Sequence, residues 1–131
     1  MMGSDLMAAW APRLLSVLRI VAGLQFLEHG TQKFFSFPPR VGAAPDLISL
    51  LGLQGCLEVV GGALIVLGLF TRPVAFVLAG NMAVAYFMAH FPRNFFPVLN
   101  GGDAAILFCF VFLYLAAAGG GVWSIDAQRG R

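Results

Sequence analysis

Gln25, Glu28, His29 and Gln32 recur at i, i+3, i+4 and i+7 inside an apolar stretch. On a helix, at 100° per residue, that spacing lays all four in one narrow stripe on one face. Carboxyl, imidazole and amide groups set side by side can bind a polar ligand and pass protons to it. A charged group at the middle of a membrane helix costs about 2.5 to 3.5 kcal/mol on insertion scales, so the stripe is expected to face a bundle interior or a wet cavity rather than lipid. A further carboxyl, Glu58, interrupts the next apolar stretch and shares a face with Gln54, Gly61 and Ile65, with Gly62 beside them. Ionisable residues at such depth are functional candidates by default, which makes Glu28, His29 and Glu58 the proton-relay candidates. Two carboxyls in one low-dielectric interior cannot both ionise cheaply. Glu28 and Glu58, facing each other with His29 ready to take a proton, would hold one mobile proton. The bland alternative is packing, with the amides and His29 hydrogen-bonding a neighbouring helix at about 0.6 kcal/mol each and a neutral Glu58 closing one such bond.

Further along, His90 shares a helical face with Met82 and Tyr86, while Asn81 falls half a turn away on the opposite side. His90, Tyr86, Gln25, Gln32 and Asn100 are the candidates for contacting a small substrate. His29 and His90 both fall toward the same end of their helices, a placement that a bis-histidine haem would need and that chance supplies as easily. Asp103 follows Asn100-Gly101-Gly102 and is expected to cap the start of the last long helix. Arg72 before Pro73 reads as an interfacial anchor, and Arg19 and Lys33 as side chains that snorkel to opposite interfaces. Gly61 and Gly62 allow another helix backbone to come close. Cys56 and Cys109 stand alone in apolar stretches, with no metal or redox spacing, and read as small core residues.

The elements that carry these residues follow from composition. Of 131 residues, 60% are hydrophobic and 11% charged, with a mean hydropathy of +0.87, whereas a soluble domain carries about 25% charged residues. That excludes a water-soluble monomer and a disordered chain. Eight basic residues against six acidic, with no basic run, exclude a nucleic-acid module. The partner implied is the lipid bilayer. At about 20 residues per crossing, the chain holds four helices, over about 13–35, 47–70, 73–91 and 104–119. Short connections with turn chemistry, Phe37-Pro38-Pro39-Arg40 and Thr71-Arg72-Pro73 among them, make neighbours antiparallel. The expected fold is an all-α four-helix transmembrane bundle over 13–121, flanked by a short cytoplasmic segment 1–12 and a cytoplasmic tail 122–131. The first apolar stretch has a basic flank but no small-x-small site at its end, and reads as an uncleaved helix rather than a signal peptide. Arg13, Arg19, Arg72, Arg129 and Arg131 gather at the end that carries the termini, against Lys33, Arg40 and Arg93 at the other. By the positive-inside rule both termini are cytoplasmic.

Taken in order, Arg19, Glu28-His29-Gly30, Lys33-Phe34-Phe35, Leu57-Glu58-Val59-Val60-Gly61-Gly62, Gly68-Leu69-Phe70-Thr71-Arg72, Asn81-Met82, Asn100-Gly101-Gly102 and Ser124-Ile125-Asp126 resemble the DoxX family of small four-helix membrane proteins. The resemblance implies a bacterial inner-membrane protein from a family named after a subunit associated with thiosulfate:quinone oxidoreductase activity. It also implies company, since members often occur as membrane partners of redox or sulfur-handling enzymes. Asp103 stands where many members carry another residue.

Residues and resemblance together lead to a membrane subunit of a quinone-linked oxidoreductase, with no covalently bound cofactor and quinone as the expected ligand. Quinone reduction takes two protons with its two electrons, and the electrons would come from a partner or the substrate. A non-enzymatic scaffold that docks a partner enzyme is the alternative, and a homo-oligomer is compatible with either. A small-solute or proton transporter ranks last, because it would need a continuous polar path and the inner half offers few candidates for one: Arg19, Asn81 and Tyr114.

Overall fold

A computed structural model describes residues 2–130. Met1 and Arg131, the outermost residues of the two expected terminal segments, lie outside the described residues, and with them one of the charges counted for orientation. Glycines decide how the first two long helices, α1 (Met2–Phe35) and α2 (Leu50–Leu67), meet. Gly23 and Gly30 on α1 and Gly55 and Gly62 on α2 each repeat after seven residues, two helical turns, and so stay on one face. A Cβ on Gly62 would lie 2.9 Å from the Leu27 backbone, and one on Gly30 2.8 Å from the Val59 nitrogen. The helices pack antiparallel at a separation that side chains there would forbid. Gly61 turns the other way, toward Leu78. Gly62→Leu is expected to destabilise the bundle by about 1 to 3 kcal/mol, because the atoms it meets are backbone and cannot swing aside. Gly80→Ala, whose Cβ meets open space, is expected to be neutral or slightly stabilising. Thermal unfolding in detergent micelles compares the two.

The second pair is α3 (Thr71–Ala85), prolonged by a π turn at Tyr86–His90 and a 3₁₀ turn at Phe91–Arg93, and α5 (Asp103–Ala118), reached through the short α4 (Pro97–Asn100). These two are antiparallel: Arg72 at the start of α3 donates to the carbonyl of Ala117 near the end of α5, and Tyr86 packs against Gly102 at the other end. A small core of Phe26, Ile65, Leu78, Met82, Phe112 and Leu115 joins the pairs, with Phe26 edge-on to Phe112 at 5.1 Å between ring centroids. Outward-facing Val60, Phe76, Phe87, Leu107 and Phe110 are all more than half exposed. An apolar exterior on that scale fits lipid rather than water. α1, α2 and the 23-residue run Thr71–Arg93 are each long and apolar enough to cross a bilayer. With 16 residues, α5 is about 24 Å long and runs beside α3 as the fourth, shorter member of the bundle. No strand occurs among the described residues.

The two pairs are stitched together at the end that carries the termini. Arg19 is 1% exposed and does not snorkel to an interface as expected. Its guanidinium donates to the carbonyls of Ile65 (2.9 Å), Val66 (3.4 Å), Trp123 (2.7 Å) and Gly120, closing the carboxyl end of α2 and the loop after α5. Gly68, in the left-handed conformation, leaves room for this, since a Cβ there would lie 2.9 Å from the Arg19 guanidinium carbon. Ser16 joins in, donating to Gly120 and accepting from the Trp123 N–H. Arg72, expected as an interfacial anchor, also ties one helix end to another.

The terminal tail folds back as α6 (Ile125–Arg129), and Asp126 accepts from the Phe70 and Thr71 N–H groups at 2.8 Å each, capping α3. Burial pushes the Asp126 carboxyl up, but the hydrogen bonds from Thr71 and Phe70 and the charge of Arg129 outweigh it and hold the group below its ordinary value. A carboxyl lowered on folding stabilises above the unfolded-state value of about 3.9 and loses that contribution as pH falls through the folded value. Wild-type melting temperature is therefore expected to fall below about pH 4 more steeply than that of Asp126→Asn, with the variant less stable at neutral pH.

Helix limits differ from the sequence reading mainly at the first helix. It begins at Met2 rather than near Arg13, and its first turns are exposed beyond the bundle. The helix runs through Pro12, which removes the ladder bond to the Ala8 carbonyl, and the Arg13 guanidinium donates to the neighbouring Ala9 carbonyl. Asp103 is not the cap of α5: Gly102 holds that position, and Asp103 is the exposed first residue of the helix. There its charge still meets the positive end of the helix dipole.

Candidate functional site

At the opposite end, where the α1–α2 loop and α4 lie, the two helix pairs part and leave a cavity of about 270 Å³. α1 lends it Phe26 and His29, α2 lends Gln54 and Glu58, and Met82, Ala85, His90, Gly101, Ala104, Ala105 and Phe108 complete the walls. An apolar cavity of about 150 Å³ accommodates benzene, so this one is large enough for a substituted six-membered ring.

Each polar side chain reaches the cavity for a local reason. His29 lies three residues from the buried Phe26, 60° around the helix, and its ring stands edge-on to Phe108 at 6.3 Å. His90 closes the π turn, in which the Phe91 N–H bonds the Tyr86 carbonyl; such wide turns re-aim side chains and occur often at functional sites. His90 Nδ1 lies 3.1 Å from the Asn100 carbonyl oxygen. A carbonyl only accepts, so Nδ1 carries the proton, and Nε2 is left as the ring's free polar atom. Glu58 is 4% exposed and forms an ion pair with Lys33.

Glu58 therefore meets the first helix at Lys33, one turn beyond His29 and outside the expected stripe. Glu28 is exposed and shares no interior with Glu58, so the shared proton between two carboxyls has no geometric basis. The reason is the helical wheel: Ala22, Gly23, Phe26 and Gly30 form the buried face of α1, and Glu28 stands 200° from Phe26. His29 alone of the stripe reaches the cavity. Gln25 is exposed and lines a shallow groove between α1 and α5, and Gln32 Nε2 donates to the Pro39 carbonyl, holding the following loop.

Tyr86 and Asn100, expected to touch a ligand, hold each other instead. Asn100, 2% exposed, donates from Nδ2 to the Tyr86 hydroxyl at 3.1 Å and to the Asn94 carbonyl, and its Oδ1 accepts from the Gly102 N–H. They brace the wall that positions His90. Lys33 and Gln54 were not among the expected chemical residues. The signal for Gln54 was in the sequence, since it precedes Glu58 by one helical turn on the same face. No spacing rule links Lys33 to Glu58, because the pair forms between helices.

A helical membrane bundle with a polar cavity near one end is the class these features define. Residues 14–91 match the DoxX family, and the chain belongs to it. A Haemophilus influenzae protein described as uncharacterized is 42% identical over 124 residues, covering 89% of this chain and 91% of that protein. An uncharacterized membrane protein of Mycobacterium tuberculosis is 28% identical over 140 residues, covering 94% of this chain and 85% of its own. No solved structure matches the chain.

Proposed function

We propose that the chain is the membrane subunit of a quinone-linked oxidoreductase of sulfur or redox metabolism, and that the cavity receives the quinone head group. The observation that carries this reading is the meeting of His29, His90 and Glu58 on one cavity with otherwise largely apolar walls. A neutral His90 offers Nε2 as an acceptor for a quinol hydroxyl; protonated, the same atom donates to a quinone oxygen. His29 supplies the second imidazole, and Glu58 with Lys33 is a proton-carrying pair beside them. Electrons come from a partner enzyme or the substrate. The excess of arginine at the terminal end supports a bacterial inner-membrane orientation with cytoplasmic termini, which sets the cavity toward the outer leaflet.

A docking role beside this one is favoured by Gln25 and Glu28, polar side chains exposed on α1 within an apolar exterior. Lipid is a poor neighbour for both, and a membrane helix of a redox or sulfur-transfer partner, or a second copy, would satisfy them. In that case Glu28→Leu disrupts the assembly and leaves ligand binding intact.

Solvent extraction of protein purified in native lipid tests the main reading. About one quinone per chain is expected from wild type and far less from the variant carrying both His29→Leu and His90→Leu. Equal, lipid-background quinone in both would overturn it.

A further inference from the structure

A thin wall divides the cavity from a groove of about 420 Å³ between α2 and α3. Gln54 and Ala85 line both spaces. Lys33 lines the groove while its ion-pair partner Glu58 lines the cavity, so the pair itself crosses the wall. The remaining lining, Leu57 and Met88 within it, is almost wholly apolar.

One donor at the groove lacks an acceptor, and a second has hydrogen-bonding capacity to spare. Asn81 Nδ2 is buried with no hydrogen-bond partner, and Asn81 lines the groove about 15 Å along α3 from its start. An amide N–H₂ in that state has lost its hydration without a hydrogen bond in return, a cost that an acceptor from outside the chain would remove. The Lys33 ammonium carries three donors, and its one hydrogen bond goes to Glu58. Donors at the foot of an apolar groove open to the bilayer select a lipid-soluble molecule that carries carbonyl oxygens.

We propose that the α2–α3 groove is a lateral station for an oxidised quinone entering from lipid. One carbonyl oxygen accepts from the Lys33 ammonium and, with the Asn81 amide turned toward the groove it lines, from Nδ2, and the hydrocarbon tail lies toward the bilayer. This rests on the quinone reading of the cavity and adds a second, separate site. Gln54 and Ala85 form the partition between the station and the cavity.

Photolabelling with an azido-benzoquinone bearing a decyl tail, on the full chain in nanodiscs of bacterial lipid, tests it. Expected adducts fall on groove residues such as Leu57 and Met88 as well as on cavity residues such as Phe108. Asn81→Leu is expected to lower groove labelling roughly tenfold, the equivalent of about 1.4 kcal/mol, while cavity labelling persists. If Asn81→Leu fails to fold, Ala89→Trp, which fills only the groove, is expected to give the same selective loss. Adducts confined to the cavity, or groove adducts undiminished in the folded variant, overturn the station and leave the cavity reading standing. Absence of adducts at both sites overturns both.

Discussion

Replacing Arg19 by leucine is expected to cost the fold at least about 3 kcal/mol, the largest loss among single substitutions considered for this chain. Four carbonyls lose the guanidinium together: Ile65 and Val66 at the end of α2, and Gly120 and Trp123 in the loop after α5, of which Ile65 keeps the Gly68 N–H and Gly120 the Ser16 hydroxyl. Each buried carbonyl left unpaired costs about 1 to 3 kcal/mol, and hydrocarbon offers no water in exchange. Arg19→Lys keeps the charge, but a point-like ammonium with three donors cannot span the positions that a planar fork with five reaches. It should fall between wild type and leucine. Equilibrium unfolding in mixed micelles measures the order; a leucine variant as stable as wild type would remove Arg19 from its place as the stitch between helix pairs.

Lys33→Met is expected to destabilise by about 3 kcal/mol, at the low end for breaking a buried ion pair because Lys33 keeps 23% of its side chain exposed. The loss comes from the partner left behind, a carboxylate 5% exposed with no cation beside it. Adding Glu58→Gln to Lys33→Met should therefore recover most of the stability, since a neutral amide suffers far less from the same burial. A double-mutant cycle reads the coupling directly. A surface pair would show about 0 to 1 kcal/mol, and a value in that range would place the pair outside the bundle interior.

The class of fold was legible because it rests on quantities that a chain cannot hide: long apolar runs, few charges and short turns. Gly61 and Gly62 signalled a close helix contact, although only the contact itself reveals that Gly62 meets backbone and Gly61 a side chain. Rotation was harder to read. The stripe from Gln25 to Gln32 looked like an interior face because polarity in a membrane helix argues for burial. The small residues beside it, Ala22, Gly23 and Gly30, had the stronger claim, because they let α2 approach. Interhelical pairing was out of reach, as nothing local says that Lys33 meets Glu58 or that Arg19 reaches past α2 to Trp123. Asp103 was misread by one position because Gly102, which offers no side-chain acceptor, gave no capping signal.

Equilibrium titration of purified protein with a short-tailed ubiquinone analogue, followed by displacement of a fluorescent quinone, bears most directly on the claim that His29, His90 and Glu58 form a quinone site. Saturable binding at one cavity site per chain is expected for wild type. Single His29→Leu and His90→Leu variants should weaken it about tenfold each, as for loss of one hydrogen bond of about 1.4 kcal/mol, with Glu28→Gln unchanged. Binding that is absent in wild type, or equal in wild type and both histidine variants with their folds intact, would contradict it.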